Sequence, residues 1–385
     1  MNKNKGQFYL LALLLLTGVW ASCVKPFVPD IEKYDEILVV DGNINDGPGP
    51  YTITLSKSSR VREMSSFNPY RNCTVEIEDN LGNRTLCLEV SPGMYKTDSL
   101  ALKGIAGRSY KLRIATSEGE WYESNPEILL TGLKIQSVYG EVEHKTDPKL
   151  FYERDGYQFY VDAETPSTTD NYLLWRMECT YKFRVDNEIS CYYDNGVHPV
   201  FKQDSLRTCY RTQKIPEFYL LNTNEFKQQE IKRFPVNFED NYSKALTFRY
   251  SLKVSQLTIG KEAFTYWSTI KKIVDAGGEL YTQQPFQVAN NLKNRTNPDK
   301  PVLGYFMVAG LSEKRIFITP VPFEFRIGKC SIVSPQKNPM EWFINSPHLW
   351  PVFYTGSQAA PLYIDQECVD CRILGSLVPP PYWIE

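Results

Sequence analysis

Residues 37–44, ILVVDGNI, with YTITLSKS (51–58), CTVEIED (73–79), RTLCLEV (84–90), MYKTD (94–98) and YKLRIAT (110–116), decide the fold class. Each run is short and rich in β-branched and aromatic residues. Asp-Gly, Gly-Pro, Leu-Gly-Asn, Ser-Pro-Gly and Ile-Ala-Gly turns separate them. A strand sends successive side chains to opposite faces, so such runs bury one face and wet the other. Amphipathic helices are excluded, because up to Ser124 no window holds apolar residues at helical spacing without a Gly or Pro break. Gly93-Met94-Tyr95, Leu102-Lys103-Gly104 and Ser109-Tyr110-Lys111-Leu112 read as successive strands of a transthyretin-like or immunoglobulin-like sandwich. Its last strand carries Trp121 and Tyr122, and the domain is expected over residues 37–133.

Outward from there, IQSVYGEVEH, YQFYVDAET and NYLLWRMECTYKFRV resemble the strands of a second sandwich, placed in a β-rich domain over 134–385. Residues 187–240 crowd Tyr, Cys, Asn, Gln and Lys between few apolar runs, and read as a long insertion pinned by disulfides. Long loops are usually functional or disordered, and pinning by cysteines favours an ordered binding surface. One helix is expected at about 261–276, where Phe264, Trp267, Ile270 and Val274 share a face that packs on a sheet. Gly277-Gly278 supplies its C-cap. QPFQVANNLKN, LGYFMVAGLSEKRIFI and FEFRIGKC give further strands, and the tail from Pro347 is rich in Pro and aromatic residues. The expectation is a mainly β chain with two β-sandwich domains, the second holding the disulfide-pinned insertion and one amphipathic helix.

The amino-terminal stretch sets the address. Lys3 and Lys5 precede an apolar run from Phe8 to Val19, too short for a membrane span and right for a secretory signal. Ala21-Ser22-Cys23 then reads as a lipobox, with residues 1–22 the signal peptide and 23–36 a tether. The Cys23 thiol would carry diacylglycerol, and at about 0.8 kcal/mol per buried methylene a multi-chain anchor holds the protein on a membrane. The plain-thiol alternative is an ordinary secreted protein.

Charge is nearly balanced, 43 Lys+Arg against 45 Asp+Glu, and no basic block exceeds two residues, so no nucleic-acid partner is expected. Setting Cys23 aside leaves eight of the nine cysteines: Cys73, Cys87, Cys179, Cys191, Cys209, Cys330, Cys368 and Cys371. An exported protein uses an even count of this kind for disulfides. Cys73 and Cys87 flank a turn and are expected to pair across a hairpin. The two remaining trios are each odd, so either a bond crosses between them or thiols stay free. Cys368-Val-Asp-Cys371 is a lone CxxC, without the second pair of a zinc ribbon or the helical context of a redox site.

No catalytic constellation stands out. GxSxG, HExxH, Walker and GxGxxG motifs are absent from the sequence. His144, His198 and His348 are the only histidines, which leaves little material for acid–base work. A carboxylate pair for glycoside hydrolysis cannot be read from sequence. No metal and no cofactor are expected. Aromatic residues make up 14% of the chain. Most serve sandwich cores, but Tyr152, Tyr192, Tyr193, Tyr210 and Tyr219 lie in polar, loop-like sequence and are candidates for a binding patch.

The lipobox, ILVVDGNI, EAFTYWSTIKKIVDAGGELYTQQPFQVANNLKN, VLGYFMVAG and CVDCRILGSLVPPPYW together resemble the domain-of-unknown-function 4249 family of Bacteroidota outer-membrane lipoproteins. The resemblance implies a cell-envelope location and a TonB-dependent receptor as partner, with no catalytic residue to carry over. Asp98-Ser99-Leu100 and Asp204-Ser205-Leu206 resemble the O-glycosylation sites of such bacteria, with Ser99 and Ser205 as acceptors. The expected function is therefore a non-enzymatic accessory or ligand-binding subunit, its ligand undefined, held in the outer membrane beside a transporter. The alternatives are an envelope hydrolase acting on glycan or peptide, and a structural or adhesive surface module.

Overall fold

A computed structural model describes residues 36–58, 67–146, 152–164, 172–193, 197–200, 202, 204–225, 230–276, 288, 290–328, 330, 332–333, 352–357 and 360–385. The chain divides into two units, Met1–Glu36 with Ser58–Ser66 and Ile37–Lys57 with Phe67–Glu385. The sheets belong to the second. Cys23 and the leader lie outside the described residues, as does His348.

The fold is mainly β. The first strands are β1 (Leu38–Asn45), β2 (Thr52–Lys57), β3 (Thr74–Asp79), β4 (Arg84–Ser91), β5 (Met94–Thr97), β6 (Ser109–Ala115), β7 (Trp121–Ser124) and β8 (Glu127–Ile128). Then come β9 (Ile135–Thr146), β10 (Glu153–Glu164), β11 (Tyr172–Arg184), β12 (Cys191–Tyr193), β13 (Val197–Pro199), β14 (Thr208–Asn222), β15 (Glu230–Asp240) and β16 (Tyr250–Ile259). Helix α1 (Lys261–Ala276) precedes β17 (Leu292–Asn294), β18 (Leu303–Ile318), β19 (Ile332–Val333), β20 (Val352–Ser357) and β21 (Ala360–Ile364). The largest sheet runs β14-β11-β16-β18-β1-β2-β5-β4-β3-β6-β7-β17, with β8 on β6. Smaller sheets run β15-β10-β9 and β13-β12-β20-β21-β19.

Alternation explains the burial. On β6, Tyr110, Leu112 and Ile114 are buried while their neighbours are not. They join Ile53, Leu55, Val75, Ile77 and Tyr95 in an amino-terminal core. That core is completed by Leu292, Val302, Phe306 and Val308, far beyond the division expected at residue 133. The reason is β18, whose first half pairs in parallel with β1 while its second half pairs antiparallel with β16. Glycines permit the approach. A Cβ on Gly304, at φ +94°, would lie 1.8 Å from the Val40 carbonyl oxygen, and one on Gly310 would lie 2.4 Å from that of Leu130.

Two expectations need correction here. Residues 187–240 are not a loop insertion, since β12 to β15 occupy most of them. β14 ends the largest sheet and β15 ends the three-stranded one, and such edge strands carry polar residues that hide strand character in the sequence. Helix α1 stands where the periodicity places it, with Phe264 and Trp267 packed beside Tyr172, Leu174, Leu257 and Ile259. Val274, however, is 62% exposed, because the last helical turn runs past that apolar patch.

The cysteines depart from expectation at Cys73 and Cys87, which do not pair. Cys209 bonds to Cys371 and Cys330 to Cys368, so one bond joins the two trios and each cysteine of the CxxC takes a different partner. Cys73, Cys87, Cys179 and Cys191 are free thiols. The hairpin register sets Cys87 opposite Val75, one diagonal step from Cys73. Diagonal neighbours stand about 7–8 Å apart, against the ~3.5–4.5 Å between Cβ atoms that a disulfide needs. Burial pushes the Cys87 thiol up to about 12, so it behaves as a core residue.

Candidate functional site

Among the described residues, Pro126 lines two neighbouring clefts of about 560 Å³ and 370 Å³. Asn125 and Pro126 link β7 to β8, and the Asn125 N–H donates to the Asn291 carbonyl at 2.7 Å. This ties the link to the segment before β17.

The smaller cleft is built around Glu127. Its carboxylate accepts from the Tyr305 hydroxyl, from Asn291 Nδ2 at 3.0 Å and from the Val308 N–H at 3.4 Å. Asn291 is itself buried and acts as a pseudo-backbone group, exchanging hydrogen bonds with the Phe306 carbonyl and N–H at 2.7 and 3.1 Å. Glu127 is thus held by β18 and by the segment before β17 together. Burial pushes its pKa up to about 7, and the charge of Glu262 adds to the rise. Glu262, in the first turn of α1, lines the same cleft with Gly260 and Leu130.

The larger cleft has the opposite character: its charges are paired with one another. Lys111 Nζ stands 3.1 Å from Glu78 and 2.7 Å from Glu123, and Arg295 Nε lies 3.2 Å from Glu123. Arg113 and Arg84 add contacts to Glu78 at 2.5 and 2.7 Å. Arg113, followed by Lys111 and Arg84, holds the Glu78 carboxyl down at about 2. Asp79 caps the adjoining turn, accepting from the N–H groups of Leu81 and Asn83 at 2.9 Å. Together the clefts present carboxylates, an amide, hydroxyls, an ammonium and a guanidinium around one proline. Concave sites with a few convergent polar groups are the usual places for small ligands.

The aromatic candidates are scattered, so the expected common patch does not form. Tyr152 packs on Tyr242 at 4.8 Å beneath Arg154. Tyr192 stacks on His198 in the five-stranded sheet, and the side chain of Tyr193 lies outside the described residues. Tyr210 meets Trp383 edge-on at 5.2 Å and donates to Glu385, while Tyr219 packs against Phe234 in the core. His144 is a strand-end residue held by Asp155 at 2.7 Å. Ser99 and Ser205 are exposed. Among the described residues no group of three or more His, Cys, Asp and Glu is placed to hold a metal ion, and no helix is long and apolar enough to cross a membrane.

Glu127, Glu262, Tyr305 and Arg295 were not singled out by sequence reasoning, because they come together only through the β1–β18 pairing and the docking of the segment before β17. One signal pointed their way. Asn290-Asn291 sits in the block that carries the family resemblance, and Asn291 is the buried residue that orders the Glu127 cleft.

No curated protein matches this chain. A family model described as a domain of unknown function (DUF4249) matches residues 24–315, which takes in both clefts and leaves the CxxC and the proline-rich end outside. The match covers well over half of the sequence, and the chain therefore belongs to the domain-of-unknown-function 4249 family.

Proposed function

We propose that this chain is a lipid-anchored cell-envelope protein that binds a polar ligand without transforming it, as an accessory subunit of a TonB-dependent outer-membrane transporter. The observation that carries the ligand-binding part is the pair of clefts at Pro126, where Lys111, Arg295, Glu78 and Glu123 balance one another and suit a hydroxyl-bearing ligand. The lipobox at Cys23 supports the anchor, and the envelope location that the sequence resemblance implies supports the transporter. The test is native pull-down from detergent-solubilised envelopes after labelling with palmitate. Label in the protein and an outer-membrane receptor among the captured partners are the expected results. An unlabelled protein, or a capture without a receptor, refutes the reading.

A second reading, hydrolysis of a glycan, is favoured by one observation. Glu127 and Glu262 line one cleft, and Glu127 is a carboxyl held protonated up to about pH 7, as a general acid requires. Release of reducing sugar from envelope polysaccharide, abolished by Glu127→Gln and by Glu262→Gln, would replace the non-enzymatic reading with this one.

A further inference from the structure

The outward face of the largest sheet is covered at two places, and between them lies a charged trench. At one end, α1 covers Tyr172 and Leu174 of β11 with Leu257 and Ile259 of β16. At the other, residues 376–385 lie across the same face as a strap. Tyr382 shares hydrogen-bond distance with Thr180 at 2.9 Å, Glu385 accepts from Lys182 and Tyr210, and Trp383 packs between Tyr210 and Phe317. Side chains two apart along a strand share a face, so the residues between these covers face outward too.

Those residues form two rows. Lys214, Glu178, Lys253 and Arg315 stand side by side across β14, β11, β16 and β18, and Arg176, Ser255 and Glu313 form the row beside them. The contacts confirm a common face: Arg315 reaches Glu178 at 2.8 Å, Lys253 reaches Glu313 at 3.2 Å, and Ser255 donates to Glu313 at 2.6 Å. These two ion pairs consume both carboxylates. Arg176 and Lys214 have no ion-pair partner among the described residues. Arg176 lies over the Trp267 ring at 4.6 Å, and Arg315 over the Tyr382 ring at 3.7 Å, so each flank of the trench carries a guanidinium placed against an aromatic ring. Burial disfavours the Arg176 charge, and the longer-range field of Asp41 offsets it only in part. A half-buried guanidinium without a carboxylate is costly until an anion joins it.

We infer that this trench binds an acidic oligosaccharide, with sugar carboxylates on Arg176 and Lys214 and hydroxyls on the Glu178–Arg315 and Lys253–Glu313 pairs. The trench crosses four strands, about 14 Å at the usual strand spacing. β-strand addition by an extended peptide needs unpaired backbone, which these four strands leave at the outer edges of β14 and β18 and not on the face between them. Mixed donors and acceptors with a surplus of positive charge match a chain bearing hydroxyls and carboxylates instead. The site is separate from the Pro126 clefts and does not rest on the accessory-subunit reading.

The experiment is calorimetric titration of the full chain at low salt with trigalacturonic acid and, in parallel, with its fully methyl-esterified form. Binding of the acid and at least tenfold weaker binding of the neutral ester are expected. Reversing one exposed charge, Lys214→Glu, should weaken the acid about tenfold, the size of effect that one lost and one repelled surface contact produce together. Arg176→Gln should abolish binding while retaining the native circular dichroism. If that variant does not fold, Lys214→Glu decides alone, since its side chain is exposed. Equal binding of acid and ester, no binding of the acid, or an unaffected Lys214→Glu overturns the inference.

Discussion

Replacing Glu127 by Gln should remove a pH dependence that the fold imposes on itself. The folded carboxyl titrates at about 7 because it is buried, and its ordinary value is 4.5. A raised folded pKa means that between these values the folded chain keeps a proton which the unfolded chain has released. Stability from this group is therefore complete below about pH 4.5 and is lost as pH rises through 7. A difference of about two and a half pH units corresponds to about 3 kcal/mol. Glutamine is neutral at every pH, and its carbonyl oxygen can accept from Tyr305 and Asn291 as the carboxyl does. Urea unfolding followed by tryptophan fluorescence should place wild type and variant within about 1 kcal/mol of each other at pH 4.5. At pH 8.5 the variant should be the more stable, by about 3 kcal/mol. Glu78 does not confuse the comparison, because its carboxyl is held down at about 2 and its stabilisation is lost only as pH falls below the usual carboxylate range. A variant with the wild-type slope between pH 4.5 and 8.5, or one less stable at the upper end, refutes the reasoning.

Glu239, buried beside Ser243 and Tyr250 and raised to about 6, should behave alike, so that Glu239→Gln flattens about 2 kcal/mol of pH dependence between pH 4.5 and 6 in the same assay. Opening the Cys209–Cys371 bond with a double serine variant should cost more than opening Cys330–Cys368. The bonds span 162 and 38 residues. Chain entropy alone predicts about 5 against about 4 kcal/mol, readable as the order of the two melting temperatures. Gly304→Ala should destabilise by about 3 kcal/mol or prevent folding, since a methyl at φ +94° meets the Val40 carbonyl; a variant melting within 2 °C of wild type contradicts the β1–β18 pairing. Unreduced, denatured protein should titrate four thiols, from Cys73, Cys87, Cys179 and Cys191, provided Cys23 is acylated. A fifth points to an unlipidated Cys23, and two fewer to a closed Cys73–Cys87 bond.

Local pattern determined the strand-rich class, the position of α1 and the amino-terminal strands. Alternation over six to eight residues and helical spacing are properties of neighbours along the chain, readable in Tyr110, Leu112 and Ile114 or in Phe264 and Trp267 without any tertiary contact. What the local pattern could not determine was partnership. β18 reads as one strand-like run, yet its two halves join different strands, and only the assembled sheet decides that Phe306 completes the amino-terminal core while Leu311 packs with α1. The same holds for the sites. Glu127, Asn291 and Tyr305 are separated by up to 178 residues and meet because β18 and the segment before β17 dock beside β8. Cys73 and Cys87 lie close in sequence but are held apart by a register one step off, whereas Cys209 and Cys371 meet across most of the carboxy-terminal half. Sequence carries the periodicities, because they are set by bonds and neighbours. Pairing, register and the chemistry that depends on them follow from long-range contacts whose energy exists only once the whole sheet has formed.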